Sequence, residues 1–518
     1  MVEPQAKRRR TSDTDDNDVT KQPDNIPASL SHPISPPRKK VARERKLISP
    51  IQLTTIRDLP EESNIGAVSL HDLLGDPLIA ECWEFNYLHD VDFLMSHFDE
   101  DTRSLVKVHI VHGFWKKEEP SRLAMEKQSS KYSNVTLHAA YMPEMFGTHH
   151  SKMLVLFRHD DTAQVIIHTA NMIAKDWTNL TNGVWQTPRL PLLAESHKSS
   201  EQDLKIGSGA KFKLDLLNYL RAYNTRRKIC ESMVDELEKY DFSAVRGALI
   251  ASVPGRHDVN EDDPSKTRWG WSAIKHTLRS ISVQSGKSDV VVQISSIATL
   301  GATDTWLKRT LFDSLSPSAM ANKSKPEFKV VFPTPDEIRR SLDGYASGGS
   351  IHMKTQSATQ TKQLQYLKPI LHHWANDSEK GIIEDGEIRD GGRNRAAPHI
   401  KTYIRYNENK SIDWALLTSA NMSKQAWGEA PNGSGQIRIA SWELGVLVWP
   451  ELLEDKAKMV GTFMTDTPTK DDLDGDEPLI GLRIPYSLPL QKYGDGETPW
   501  VATASYNVPD RKGRIWRG

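Results

Sequence analysis

Cysteine is nearly absent: only Cys82 and Cys230 occur in 518 residues. That scarcity excludes a disulfide framework or a cysteine-built zinc site and points to a reducing compartment. No apolar run approaches the roughly 18 residues a membrane span requires. The opening stretch MVEPQAKRRR is charged and has no apolar region, so no secretory signal is expected there. Net charge is also missing, with 67 basic against 68 acidic residues. Any affinity for a polyanion must therefore come from a local basic groove and not from the field of the whole molecule. What is present is ordinary globular material, 37% hydrophobic and 26% charged, enough for a large core.

Composition divides the chain. Residues 1–50 hold seven prolines and eleven Lys/Arg against seven Asp/Glu. A disordered basic tail is expected over 1–62. Its clusters Lys7–Arg10 and Arg38–Lys46 suit nuclear import or phosphate contact, and Ser35-Pro36 lies beside the second. Beyond it, the apolar stretches Val106–Val111, Lys152–Phe157 and Val165–His168 read as strands. Phe212, Leu216, Leu217, Tyr219, Leu220 and Tyr223 recur at helical spacing. Further strands are expected near Gly247–Val253, Val290–Ile294 and Lys329–Phe332, so an α/β fold follows. The polar stretch 377–397 reads as an exposed loop or insertion. Asp471–Glu477 lacks the Gly and Glu spacing of a calcium loop and reads as a solvated loop.

The informative feature is a repeat. His150-Ser-Lys152, a strand, Asn171-Met172 and Trp177 are followed by His399-Ile-Lys401, a strand, Asn421-Met422 and Trp427, each 249 or 250 positions later. Packing alone does not call for a His-x-Lys twice at the mouth of an apolar strand. Residues i and i+2 of a strand share a face, so each His projects with its Lys. Each Asn follows a strand end, where α/β sheets place ligand groups. Two facing halves would gather two imidazoles, two ammoniums and two carboxamides, a set suited to one phosphodiester.

These paired motifs resemble the phospholipase D superfamily. The Asp that usually follows the Lys by five positions is replaced by Phe157 and Tyr406. The likeness is instead to the His-Lys-Asn branch, tyrosyl-DNA phosphodiesterase. It is carried by Phe146–Met153, Pro398–Tyr403, Asn421–Gly428, Ser441–Val446, Phe85–Tyr87, Val253–Arg256, Gln293–Ser296 and Ser341–Ser350, and spans about 65 to 510. The resemblance implies two similar α-β-α sandwich domains, at 63–248 and 249–518, with the site between them in a monomer. It implies hydrolysis of 3′-phosphotyrosyl bonds between DNA and a trapped type I topoisomerase, in the nucleus, with no cofactor, metal or membrane. The partners it implies are single- or double-stranded DNA with 3′-tyrosyl or other 3′ adducts, and a topoisomerase-derived peptide.

Carried over, His150 is the nucleophile, His399 the general acid and base, and Lys152, Lys401, Asn171 and Asn421 the phosphate cage. Glu443 orients an imidazole, expected to be His150. The family's supporting Gln falls on Asn182, one methylene shorter, which reaches His399 directly or through a water. On the DNA side the resemblance places Phe146, Ser296 and Ser423; near the peptide side it places Tyr87 and Trp500. Tyr87 and Trp500 could equally be packing residues and Ser423 a helix cap, whereas for Phe146 stacking on a base is preferred over a place in the core. The expected chemistry is attack by neutral His150 with a proton supplied by charged His399. Two fixed ammoniums would replace a metal clamp. The alternatives are another phosphodiesterase of the superfamily, acting on lipid or plain nucleic acid, and an inactive DNA-end-binding scaffold.

Overall fold

The computed structural model describes residues 46–194, 204–316, 325–383, 386–469 and 477–518. Of the tail expected over 1–62, residues 1–45, with Ser35 and all of the import clusters but Lys46, lie outside the described residues, as does most of the acidic loop 471–477.

Two sheets share one topology. The first runs Gly183–Gln186, Thr162–His168, Met153–Arg158, Ile79–Phe85, Lys107–His112, Val135–Ala139. The second runs Glu443–Val448, Ser411–Thr418, Thr402–Asn407, Ser288–Gln293, Glu327–Val331, Leu371–His372. Three antiparallel neighbours followed by two parallel ones occur in each, in the same order. The fold is thus a duplication of one α/β layer unit.

Strands buried on both faces explain why Met153–Arg158 reads as an unbroken apolar run. Met153, Val155 and Phe157 pack on the side of the helix Gly209–Ala222, with Phe212, Leu216 and Leu220 in the same core. Leu154 and Leu156 pack on the opposite side, with Leu70, Leu73, Leu94 and Met95 of the short helices Leu70–Leu74 and Val91–Ser96. Helices on both faces give the α-β-α layering.

The ordered chain starts earlier than composition suggests. Lys46–Leu47 pairs in parallel with Leu479–Arg483 of the second sheet, and Gln52–Leu53 pairs with Gly183–Gln186 of the first. Residues 46–62, assigned to the tail on sequence, therefore form a strap across both sheets. The cause is a short apolar set, Ile51, Leu53 and Ile56, all buried. Buried arginines also grip the strap and the residues just after it. Arg393 donates to Asn64 Oδ1 (3.1 Å) and the Thr54 carbonyl (3.2 Å), and Arg483 to the carbonyls of Ile65 and Ser63. The stretch 377–397 accordingly is not wholly exposed: Arg393, Ala396 and Ala397 are buried.

Candidate active site

Each His-x-Lys immediately precedes a central strand, Met153–Arg158 or Thr402–Asn407, and each Asn follows the next strand. Backbone bonds between the halves hold both motifs. His150 N–H donates to the Trp442 carbonyl (2.9 Å) and Trp442 N–H to the Thr148 carbonyl (2.9 Å). In the other copy, His399 N–H donates to the Thr181 carbonyl (2.9 Å) and Thr181 N–H to the Ala397 carbonyl (3.0 Å). The residue after each bridging carbonyl then backs the histidine. Glu443 Oε2 lies 2.9 Å from His150 Nδ1, and Asn182 Oδ1 lies 3.0 Å from His399 Nδ1. A hydroxyl locks each support: Ser419 Oγ donates to Glu443 Oε2 (2.5 Å) and Thr169 Oγ1 to Asn182 Oδ1 (2.9 Å). Each half thus supplies the brace for the other half's imidazole. Because Thr181 is bonded directly to His399, the shorter Asn182 side chain reaches the ring without a water.

With both Nδ1 atoms engaged, the Nε2 atoms are the ones left to act, that of His399 next to Lys401 Nζ. His150, His399, Asn171, Asn421 and Glu443 line one solvent-open cavity of about 310 Å³. The lysines are fully buried: Lys152 Nζ donates to the His150 carbonyl (3.1 Å), and Lys401 Nζ bonds the His399 carbonyl and approaches His399 Nε2 (3.2 Å). Asn421 Oδ1 accepts the N–H groups of Ser296 (2.9 Å) and Ser295 (3.1 Å), which leaves its amide nitrogen to donate elsewhere.

Burial dominates the electrostatics. It pushes Lys152 down to about 8 and, with Lys152 nearby, holds Lys401 well below its ordinary value. His150 is lowered by burial, against the pull of Glu443. Glu443 is lowered despite burial, because His150 and Ser419 bond its carboxylate. Burial, then Lys401 and Lys152, hold His399 well below the usual imidazole range. Against the charged His399 expected from sequence, burial of the ring and the two neighbouring lysines favour its neutral form in the free site.

Asp176 escaped the sequence reading. Its Oδ2 accepts the Asn171 N–H (2.8 Å) and side-chain amide (2.9 Å) and lies 3.3 Å from His399 Nδ1. Burial raises its pKa. The only sequence signal was an acid five positions after the first Asn, and the second copy has Ala426 there. Among the described residues, no three His, Cys, Asp or Glu side chains are arranged to hold a metal ion, and no helix is long and apolar enough to cross a membrane.

Four of the five outer residues also line the cavity: Phe146, Tyr87, Ser296 and Ser423. Phe146 is 81% exposed and adopts a left-handed φ of 65°. The next residue must be small, because a Cβ on Gly147 would meet the Ala440 carbonyl oxygen. Tyr87 is partly exposed, its ring centroid 5.6 Å from that of His150. Ser423 also caps the helix Lys424–Trp427, accepting the Ala426 N–H (3.0 Å). Trp500 is a correction. It is 0% exposed, stacks on Tyr345 and Tyr506, and donates its indole N–H to the Gly348 carbonyl (3.0 Å). It lies beneath the segment that contributes Gly349 and Ser350 to the cavity, not on the cavity itself.

Fold and site together define a duplicated α/β protein whose paired His, Lys and Asn suit a phosphodiester. The model of one protein family, described as tyrosyl-DNA phosphodiesterase, matches residues 50–494. The chain is 30% identical to a probable tyrosyl-DNA phosphodiesterase of Schizosaccharomyces pombe, over 93% of this chain and 98% of that one. It is 29% identical to tyrosyl-DNA phosphodiesterase 1 of Arabidopsis thaliana, over 91% and 77%. The crystal structure of the yeast tyrosyl-DNA phosphodiesterase has the same fold, with a TM-score of 0.61 at 20% identity, over 87% of this chain and 98% of that one. The chain belongs to the tyrosyl-DNA phosphodiesterase family.

Proposed function

We propose that this protein hydrolyses 3′-phosphotyrosyl bonds in DNA, including those left by a trapped type I topoisomerase, through a covalent phosphohistidine. The observation that carries the reading is the convergence of two cross-braced imidazoles and two carboxamides on one open cavity, above two buried ammoniums. Neutral His150 Nε2 attacks phosphorus in line while the bond to the tyrosyl oxygen breaks. His399 donates a proton to that oxygen, then takes one from the water that attacks the phosphohistidine. The product is a DNA 3′-phosphate, and His150 is regenerated.

Substrate binding accounts for the proton on His399. A phosphodiester brings negative charge and oxygens that compete for Lys401, which frees Nε2 to be protonated. The lysines and asparagines hold the non-bridging oxygens as charge builds. A phenol, with a pKa of about 10, leaves more readily than a sugar hydroxyl, so ordinary DNA linkages are spared. Phe146 offers a stacking face for a base, a contact worth roughly 1–3 kcal/mol. Ser296 and Ser423 lie where they could bond DNA phosphates, and Tyr87 lines the same opening. The reading extends to a monomer working in the nucleus, in keeping with the basic clusters at 7–10 and 38–46.

The test is an oligonucleotide ending in 3′-phosphotyrosine, incubated with the protein in EDTA. Conversion to a 3′-phosphate supports the proposal. Nicking of unmodified DNA or release of a lipid headgroup instead would favour another superfamily activity, and binding without turnover a scaffold.

A further inference from the structure

The duplication places Lys175 and Gln425 in equivalent positions, each four residues after a cage asparagine. They serve opposite walls. The Gln425 carbonyl accepts the N–H groups of Ala440 (3.1 Å) and Ser441 (3.0 Å), the approach to Glu443 and His150. Lys175 precedes Asp176, which touches His399. Since His399 protonates the departing oxygen, the Lys175 wall is the one the leaving group faces.

That wall carries basic side chains, with Asp176 and Asp343 the acids nearest Lys175. Lys175 Nζ sits 3.2 Å from the point where a Cβ on Gly349 would stand, and Gly349 lines the cavity. The absence of a side chain at 349 therefore leaves the ammonium next to the opening. The carboxylates near Lys175 are committed elsewhere. Asp176 holds Asn171, and Asp343 accepts from Asn179 (3.2 Å) and Lys512 (2.6 Å). Among the described residues no ion pair engages Lys175. His352 lines the cavity, and both Lys175 and the exposed Lys354 act electrostatically on it. Glu443 is the one carboxylate on the cavity lining, and it is bonded to His150 and Ser419.

We propose that the wall formed by Lys175, Ser350, His352 and Lys354 selects anionic leaving groups, so that a tyrosyl peptide with carboxylates beside the tyrosine is released faster than a neutral one. The inference rests on the 3′-phosphotyrosyl reading and adds a specificity to it. Long-range attraction between partly exposed charges is modest and salt-sensitive, which sets the size of the effect.

The experiment uses two oligonucleotides with identical 3′-phosphotyrosyl bonds, one carrying Glu-Tyr-Glu and the other Gln-Tyr-Gln. Expected is a kcat/KM ratio of about two- to fivefold for the acidic peptide at low ionic strength, falling towards one as salt is added. Lys175→Gln should lower the ratio and Lys175→Arg should keep it. Equal rates in the unaltered protein would overturn the proposal, as would a preference that persists in the K175Q/K354Q double variant. Failure to cleave either oligonucleotide would strike the phosphotyrosyl reading itself, and the selectivity with it.

Discussion

Asn182 is held on three sides: by Thr169, by His399 and, through its own amide, by the Asp176 carbonyl at 2.8 Å. Asn182→Ala would remove the nearer acceptor of the His399 Nδ1–H and leave only Asp176 Oδ2, 3.3 Å away. A lost buried hydrogen bond of this kind should lower kcat by about ten- to a hundredfold. Asn182→Gln should also reduce turnover, because the side-chain oxygen already sits at hydrogen-bond distance from both Thr169 and His399 and an added methylene shifts it. The histidines separate by trapping. With a leaving group that needs no proton, His399→Ala should accumulate a protein–DNA adduct on denaturing gels, and His150→Ala should form none. An adduct that survives loss of His150 would reverse the two roles.

The pH dependence follows from the same residues. His399 has a depressed pKa, so its charged fraction in the free protein falls tenfold per unit as pH rises above that value. For a tyrosyl ester, kcat/KM should therefore decline with pH through neutrality. For a leaving group that needs no proton, the decline should begin only as Lys152 loses its charge, at about 8. Superimposable profiles would remove His399 as the acid. The clustering of the paired His, Lys and Asn was legible because they occur twice in register. Asp176, Thr169 and Ser419 were not, since an acid without a counterpart and two hydroxyls look like any others. Trp500 was misassigned because sequence shows an aromatic but not which side of a loop it supports.

Among the elements, the segment 348–350 depends most on what lies beneath it. A Cβ on Gly348 would run into the Trp500 indole. Gly348→Ala should destabilise the protein by about 1–3 kcal/mol through overpacking, read from denaturant unfolding, and should displace Gly349 and Ser350 enough to raise KM. The long, doubly buried strands were visible as apolar runs. The helices Leu70–Leu74 and Val91–Ser96 were not, because five or six residues are too few to display a 3.6-residue period. The strand pairs at 46–47 and 52–53 were hidden for a related reason: two residues each, next to a proline-rich stretch, they show only in their partners.

For the molecule as a whole, the strap sets where the chain can be shortened. A chain beginning at residue 46 should match the full protein in melting temperature. One beginning at 63 loses Ile51, Leu53 and Ile56, each contributing about 1.5–3 kcal/mol of burial, and strips Arg393 of its Thr54 partner. It should be recovered mostly as insoluble protein. The crossing of braces has a wider consequence. With Glu443 serving His150 and Asn182 serving His399, neither repeat contains a complete reaction centre. A gene encoding one unit alone could have been useful only as a twofold pair of identical subunits exchanging these contacts. In the joined copies the equivalent braces are a carboxylate and an amide, so the two imidazoles sit in different settings, as the proposed division into nucleophile and proton carrier requires.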